Sequence, residues 1–225
     1  MNIKSIVEEP LKEIWQEEIF HEFCQYPPMS VSSLPENAIL FIGLNPSLSE
    51  KQKQILSATQ CQQPVFYDTS IEKHSYFNKF KEIGNQLNCN WGHFDLLFLQ
   101  ETKQNKVADL LKSPIGQDFV ERQLQVTRLI FDQLLKSVEP IIFVVNNSLS
   151  RDLLQNKFFQ WFDYDLIWDD NLGTSRINQH PFFFTSMLTG QRALDKGSFE
   201  RLIWHIKYVR KKKDIFCQKI LQQSK

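Results

Sequence analysis

A chain of 225 residues is long enough for one α/β domain with a single core, and 42% hydrophobic residues with 19 Phe and only 7 Gly exclude a disordered chain. Its formal net charge of zero excludes a global field pulling it to nucleic acid or membrane, so any polyanion binding must come from a local patch. Cys24, Cys61, Cys89 and Cys217 form no Cys-x-x-Cys pair, so no metal site and no cofactor is expected.

The N-terminus has no apolar run flanked by positive charge, and no stretch approaches the length of a membrane span. A soluble, cytoplasmic protein with reduced thiols and no membrane contact is expected. Charge is nonetheless uneven. The first 25 residues carry six Glu against two Lys, while residues 201–225 carry eight Lys or Arg against Asp214.

In chain order, Leu11, Trp15, Ile19 and Phe23 recur every four residues and predict an acidic helix within residues 6–24, ended by Pro27-Pro28. The apolar run Ala38–Ile42 predicts a buried strand that stops in the turn Gly43-Leu44-Asn45-Pro46-Ser47. Residues 48–69 read as a long polar loop beside that turn, with Phe66 and Tyr67 either folded onto the core or standing over a ligand. Helical spacing returns over 74–87, and 93–102 reads as a second buried strand that turns polar at Gln100. A helix follows over 118–137, closed by Glu139-Pro140, and then a third strand over 141–145 that ends in Asn146. Ser150 is expected to cap the next helix. Leu166–Trp168 and a further extended segment flank an apparent turn at 169–173, and a fourth buried strand covers 182–186. Ser198 is expected to cap a last helix that runs into the basic tail at 210–225. His180, just before Pro181, reads as a surface or capping imidazole.

Four apolar strands separated by helices predict a single domain over 1–225. Its architecture would be a three-layer α/β/α sandwich around a central, mainly parallel four-stranded sheet. In a parallel sheet the loops at the carboxyl ends of the strands form the ligand crevice, where Gly43 lets the backbone approach and Asn45 presents the first polar side chain.

Gly43-Leu44-Asn45-Pro46-Ser47, the pair Phe66-Tyr67 ahead of Tyr76-Phe77-Asn78-Lys79-Phe80, and the polar strand ends together resemble the uracil-DNA glycosylase superfamily. The resemblance is greatest to its branch of mismatch-specific uracil and thymine glycosylases and covers about residues 38–210. It implies a monomeric hydrolase of base excision repair that cleaves the N-glycosidic bond of uracil or a related damaged base. Its partner would be uracil-containing or mismatched DNA. Asn45 would be the catalytic residue that holds water. Gly43, Leu44, Pro46 and Ser47 would shape the base site, Phe66 or Tyr67 would stack on the base, and Gln100 would read it. Asn146 and Ser186 sit at the ends of the third and fourth strands. The family's second motif opens with His or Asn before Pro-Ser, whereas this chain has Thr185-Ser186-Met187-Leu188-Thr189-Gly190-Gln191-Arg192. Either Gln191 or Arg192 takes over its work, or the catalytic arrangement is incomplete. Two other functions fit the same residues: a silent glycosylase-fold protein that binds nucleic acid or a free base, and an enzyme acting on a small nucleotide or nucleoside.

Overall fold

Strand β2 (Ala38–Gly43) is buried along its whole length, so it needs partners on both edges and cover on both faces. The computed structural model describes residues 1–48, 63–71, 73–190 and 193–223, with side chains as far as Lys212. In it, β2 lies between β4 (Asn90–Asp95) and β5 (Ile142–Val145), parallel to both, and β5 pairs in parallel with β8 (His180–Phe184). Alternate residues of these strands serve opposite faces. Leu40, Ile42, Phe143 and Val145 pack on one side, against α1 (Lys4–Gln16) and α4 (Pro114–Leu134). Ile39, Phe41, Ile142 and Val144 pack on the other, against α2 (Asn78–Leu87) and α6 (Lys196–Gln223). The result is a three-layer α/β architecture.

The sheet is larger than the four strands expected, and it is mixed. Its order is β4-β2-β5-β8-β7-β6, with β7 (Thr174–Ile177) antiparallel to β8 and β6 (Ile167–Asp169) antiparallel to β7. The turn read at 169–173 causes this. Asp169 accepts hydrogen bonds from the amides of Asn171 and Leu172, and Gly173 takes φ +64°, which folds the two extended segments against each other. A separate parallel pair joins β1 (Met29–Val31) to β3 (Val65–Tyr67), and β3 lies within the region 48–69 read as irregular loop. Residues 49–62 of that loop, Cys61 among them, lie outside the described residues.

Three further differences have local causes. The first helix ends at Gln16, short of the expected stripe, so Ile19 is exposed while Phe20 turns inward on a 3-10 turn. The second strand ends at Asp95, not at Gln100. Beyond it the amides of Leu96 and Leu97 bond to the carbonyls of Gly43 and Leu44, and buried Gln123 of α4 accepts from the amides of Phe98 and Leu99. This apolar segment is therefore buried as a loop rather than a ladder. Asn147, not Ser150, caps α5 (Ser148–Leu154) by accepting from the amides of Leu149 and Ser150. Likewise Asp195 rather than Ser198 holds the start of α6, since its carboxylate accepts from the amide and hydroxyl of Ser198. A short helix, α3 (Gln104–Leu110), precedes α4. Among the described residues no helix is long and apolar enough to cross a membrane.

Candidate active site

The carboxyl ends of β2, β4 and β5 bring Gly43, Asp95 and Asn146 to one rim, and a cavity of about 310 Å³ opens there. That is the low end of the range for small-molecule sites, about 300–1,000 Å³. Its walls are the 43–47 turn, Tyr67, the Tyr76-Phe77 pair, the 101–104 segment and Met187 to Thr189.

The 43–47 turn is held by the segment after β4. Glu101 donates its amide to the Pro46 carbonyl, and Thr102 bridges both backbone groups of Leu48. Asn45 closes this zipper: its Nδ2 donates to the carbonyls of Pro46, Leu99 and Glu101 at 3.0, 3.3 and 2.7 Å. Both Nδ2 hydrogens are thus used, and Oδ1 is what the amide has left for a water or a ligand.

Asp95 is the residue that sequence reading missed. Its side chain is only 8% exposed, lines the cavity, and places Oδ1 3.6 Å from Nε2 of His93. The close approach requires Gly43, because a Cβ there would lie 2.0 Å from Asp95 Oδ1 and 2.9 Å from His93 Nε2. Burial raises the Asp95 carboxyl from 3.8 to about 8, and burial lowers His93 from 6.5 to about 3. Near neutral pH the pair therefore carries one proton and no net charge. His93 is enclosed by the rings of Tyr76, Phe77 and Phe80 at 5.4–5.6 Å, and its Nδ1 meets the Tyr67 hydroxyl at 3.1 Å. Its Nε2 has no hydrogen-bond partner among the described residues, and neither has Asn146 Oδ1. Tyr76 is held well above the ordinary phenol range, first by burial and then by the negative charge Asp95 carries when ionised, while a hydrogen bond from Asn146 opposes both. The sequence signal for Asp95 is a single charge inside the otherwise apolar run Phe94–Leu99, whose continuation past Asp95 reads as strand up to Gln100.

The structure divides the other expected site residues. Gly43, Leu44, Asn45, Pro46, Ser47, Tyr67 and Asn146 all line the cavity. The aromatic pair is split: Tyr67 faces the cavity, whereas Phe66 packs on the core beneath the ammonium of Lys4. Gln100 is not among the lining residues. It is buried, and its Nε2 donates to the carbonyl of Pro27 at 2.8 Å, because the chain has already turned away from the rim. Ser186 is exposed and also lies off the cavity, although the next three residues line it. Gln191 and Arg192 lie outside the described residues. His180 is fully buried within β8 and accepts the Ile141 amide at Nδ1, which removes it from the surface role expected of it. No Lys or Arg is among the described residues lining the cavity, and no three His, Cys, Asp or Glu side chains cluster as a metal site among the described residues.

No family model matches the chain, and no curated protein or solved structure does either.

Proposed function

We propose that the chain is a glycosylase-like hydrolase that cleaves the N-glycosidic bond of uracil or a related base. The observation that carries this reading is the convergence of Asn45, Asp95 and Asn146 on one small aromatic-walled cavity at the ends of three parallel strands. N-glycosidic cleavage develops positive charge on the sugar and negative charge on the leaving base, so it needs a held water and a proton donor aimed at the base. Asn45 Oδ1 orients the water. Asp95, neutral near pH 7, supplies a hydrogen bond and then its proton to the departing base, as other carboxyls in apolar sites do. The water oxygen bonds to the anomeric carbon, the C–N electrons leave with the base, and the proton lost by the water restores Asp95. The unsatisfied Oδ1 of Asn146 accepts from a base N–H, and Tyr67 and Tyr76 give the base aromatic surface.

The test is release of uracil from labelled oligonucleotides, single-stranded and with uracil opposite each base. Wild type releases base, and Asp95→Asn slows release by at least about a hundredfold without loss of the fold. If wild type releases nothing from these or from nucleosides, the hydrolase reading is wrong.

The absence of Lys and Arg from the described cavity lining favours one second reading, a hydrolase of free nucleosides. Its rate on deoxyuridine would be nearly independent of salt, whereas cleavage that depends on DNA phosphates falls steeply as salt rises.

A further inference from the structure

Helix α6 lies on the sheet through Phe199, Ile203, Ile206 and Val209, so its apolar face is already used. Its outer face is unusual. Trp204 is 66% exposed and stacks on Tyr208 one turn later, with ring centroids 5.7 Å apart and planes 11° from parallel. Lys212, a further turn on, holds its ammonium 5.3 Å from the Tyr208 centroid. These three form a column along the helix: a cation, a phenol and an indole whose outer face is open. From Arg201 to Lys212 the helix carries five Lys or Arg and no carboxylate. Arg210 turns inward to the Leu87 carbonyl, while Arg201, Lys207 and Lys211 stay exposed beside the column. Arg201 also borders a groove of about 380 Å³ that includes Trp168, itself 60% exposed, and His205.

We propose that this face of α6 binds single-stranded nucleic acid, with a base stacked on Trp204 and the backbone phosphates along Arg201, Lys207 and Lys211. Cations alone would suit any polyanion, but a planar indole left open at the end of a stacked column suits a flat partner. A duplex hides its base faces, so the unpaired strand is the form that fits. A bilayer surface does not fit, since an interfacial helix needs a free apolar face and this one is occupied by the core. The proposal is independent of the reading of the cavity.

The experiment uses the full chain and a fluorescein-labelled oligothymidylate, with its duplex, a polyglutamate peptide and phosphatidylserine vesicles as competitors. Wild type binds the single strand with quenching of tryptophan emission. Trp204→Ala weakens binding about tenfold, and Trp204→Phe restores most of it. Lys207→Glu combined with Lys211→Glu flattens the salt dependence. Melting temperature stays at the wild-type value for Trp204→Ala, because the ring is exposed. Unchanged affinity in Trp204→Ala overturns the proposal. So does equal competition by the duplex, the peptide or the vesicles, which would make the face a general anionic or membrane contact.

Discussion

The Asp95 carboxyl and the His93 imidazole face each other at 3.6 Å inside the protein, both neutral near pH 7, over a glycine that leaves no room for a methyl group. Surface ion pairs of the same types would be charged and solvated. Here three aromatic rings take the place of solvent around the imidazole, and desolvation decides the protonation state of both groups.

Stability should carry the signature of that pair. Asp95 titrates higher in the folded chain than when unfolded, so it lowers stability as pH rises from about 4 to about 8. His93 titrates lower when folded, so it adds stability as pH rises from about 3 to 6.5. The two slopes oppose each other between about 4 and 6.5, and only the Asp95 loss remains from 6.5 to about 8. At about 1.4 kcal/mol per pH unit this loss is on the order of 2 kcal/mol, or about 4–8 °C in melting temperature. Asp95→Asn should remove the decline. Thermal melts of both proteins from pH 4 to 9 check it, and a variant that declines in parallel with wild type assigns the loss to other groups.

Catalysis should share the same alkaline limit. If Asp95 acts as the neutral acid, base release under single-turnover conditions falls above about pH 8 with the loss of one proton. A rate that instead climbs through pH 8 would make the carboxylate, not the acid, the active form.

Asn45 has a second task that a mutation will expose. Its Nδ2 joins three carbonyls from two segments, so Asn45→Ala takes this donor from the part-buried carbonyls of Leu99 and Glu101 and should cost about 1–3 kcal/mol. Asn45→Asp should cost more, because a carboxylate would face the same three carbonyls. The expected fall in melting temperature is about 2–12 °C for alanine. Activity of either variant must therefore be read at a temperature where circular dichroism shows it folded.

Much of this geometry was legible in the chain. The continuous apolar runs at 38–42, 141–145 and 182–184 are central strands because no polar side chain interrupts them, and Gly43 and Asn45 fall where such a strand must stop. The length of β4 was not legible. Leu96 to Leu99 are as apolar as a strand, and partners distant in sequence, the carbonyls of Gly43 and Leu44 for the first two amides and the side chain of Gln123 for the last two, decide that they are satisfied in a loop. The end of the ladder decides which side chain is the polar tip, and it is Asp95 rather than Gln100. The two extended segments around the 169–173 turn were legible, but their place in the sheet as β7 and the edge strand β6 was not, because both are short and their pairing depends on the turn that joins them.

His180 separates structural from catalytic histidines. Fully buried in β8, it accepts the amide of Ile141 at the entry to β5, well away from the cavity residues. His180→Ala should lower stability by about 1–3 kcal/mol through the unpaired amide and the lost packing. Base release per folded molecule should not change. Denaturant unfolding gives the first quantity and active-site titration of the folded fraction the second. A drop in turnover with unchanged stability would reverse the assignment.

Gly43→Ala is the sharpest probe of the site's geometry. The new methyl would sit 2.0 Å from Asp95 Oδ1 and 2.9 Å from His93 Nε2, and neither side chain can yield easily. His93 is tied to the Tyr67 hydroxyl and enclosed by rings, and Asp95, buried, has the cavity beside it. Overpacking of this kind costs about 1–3 kcal/mol, and Asp95 swung into the cavity would also block a base. Adding Asp95→Ala to Gly43→Ala removes the closer of the two clashes and leaves the one with His93, so the double variant should recover part of the stability that the single one lost while remaining inactive. Such recovery is a coupling between neighbours and appears as non-additive melting temperatures. Additive losses in the two single variants and their combination would mean that Gly43 and Asp95 do not meet as described.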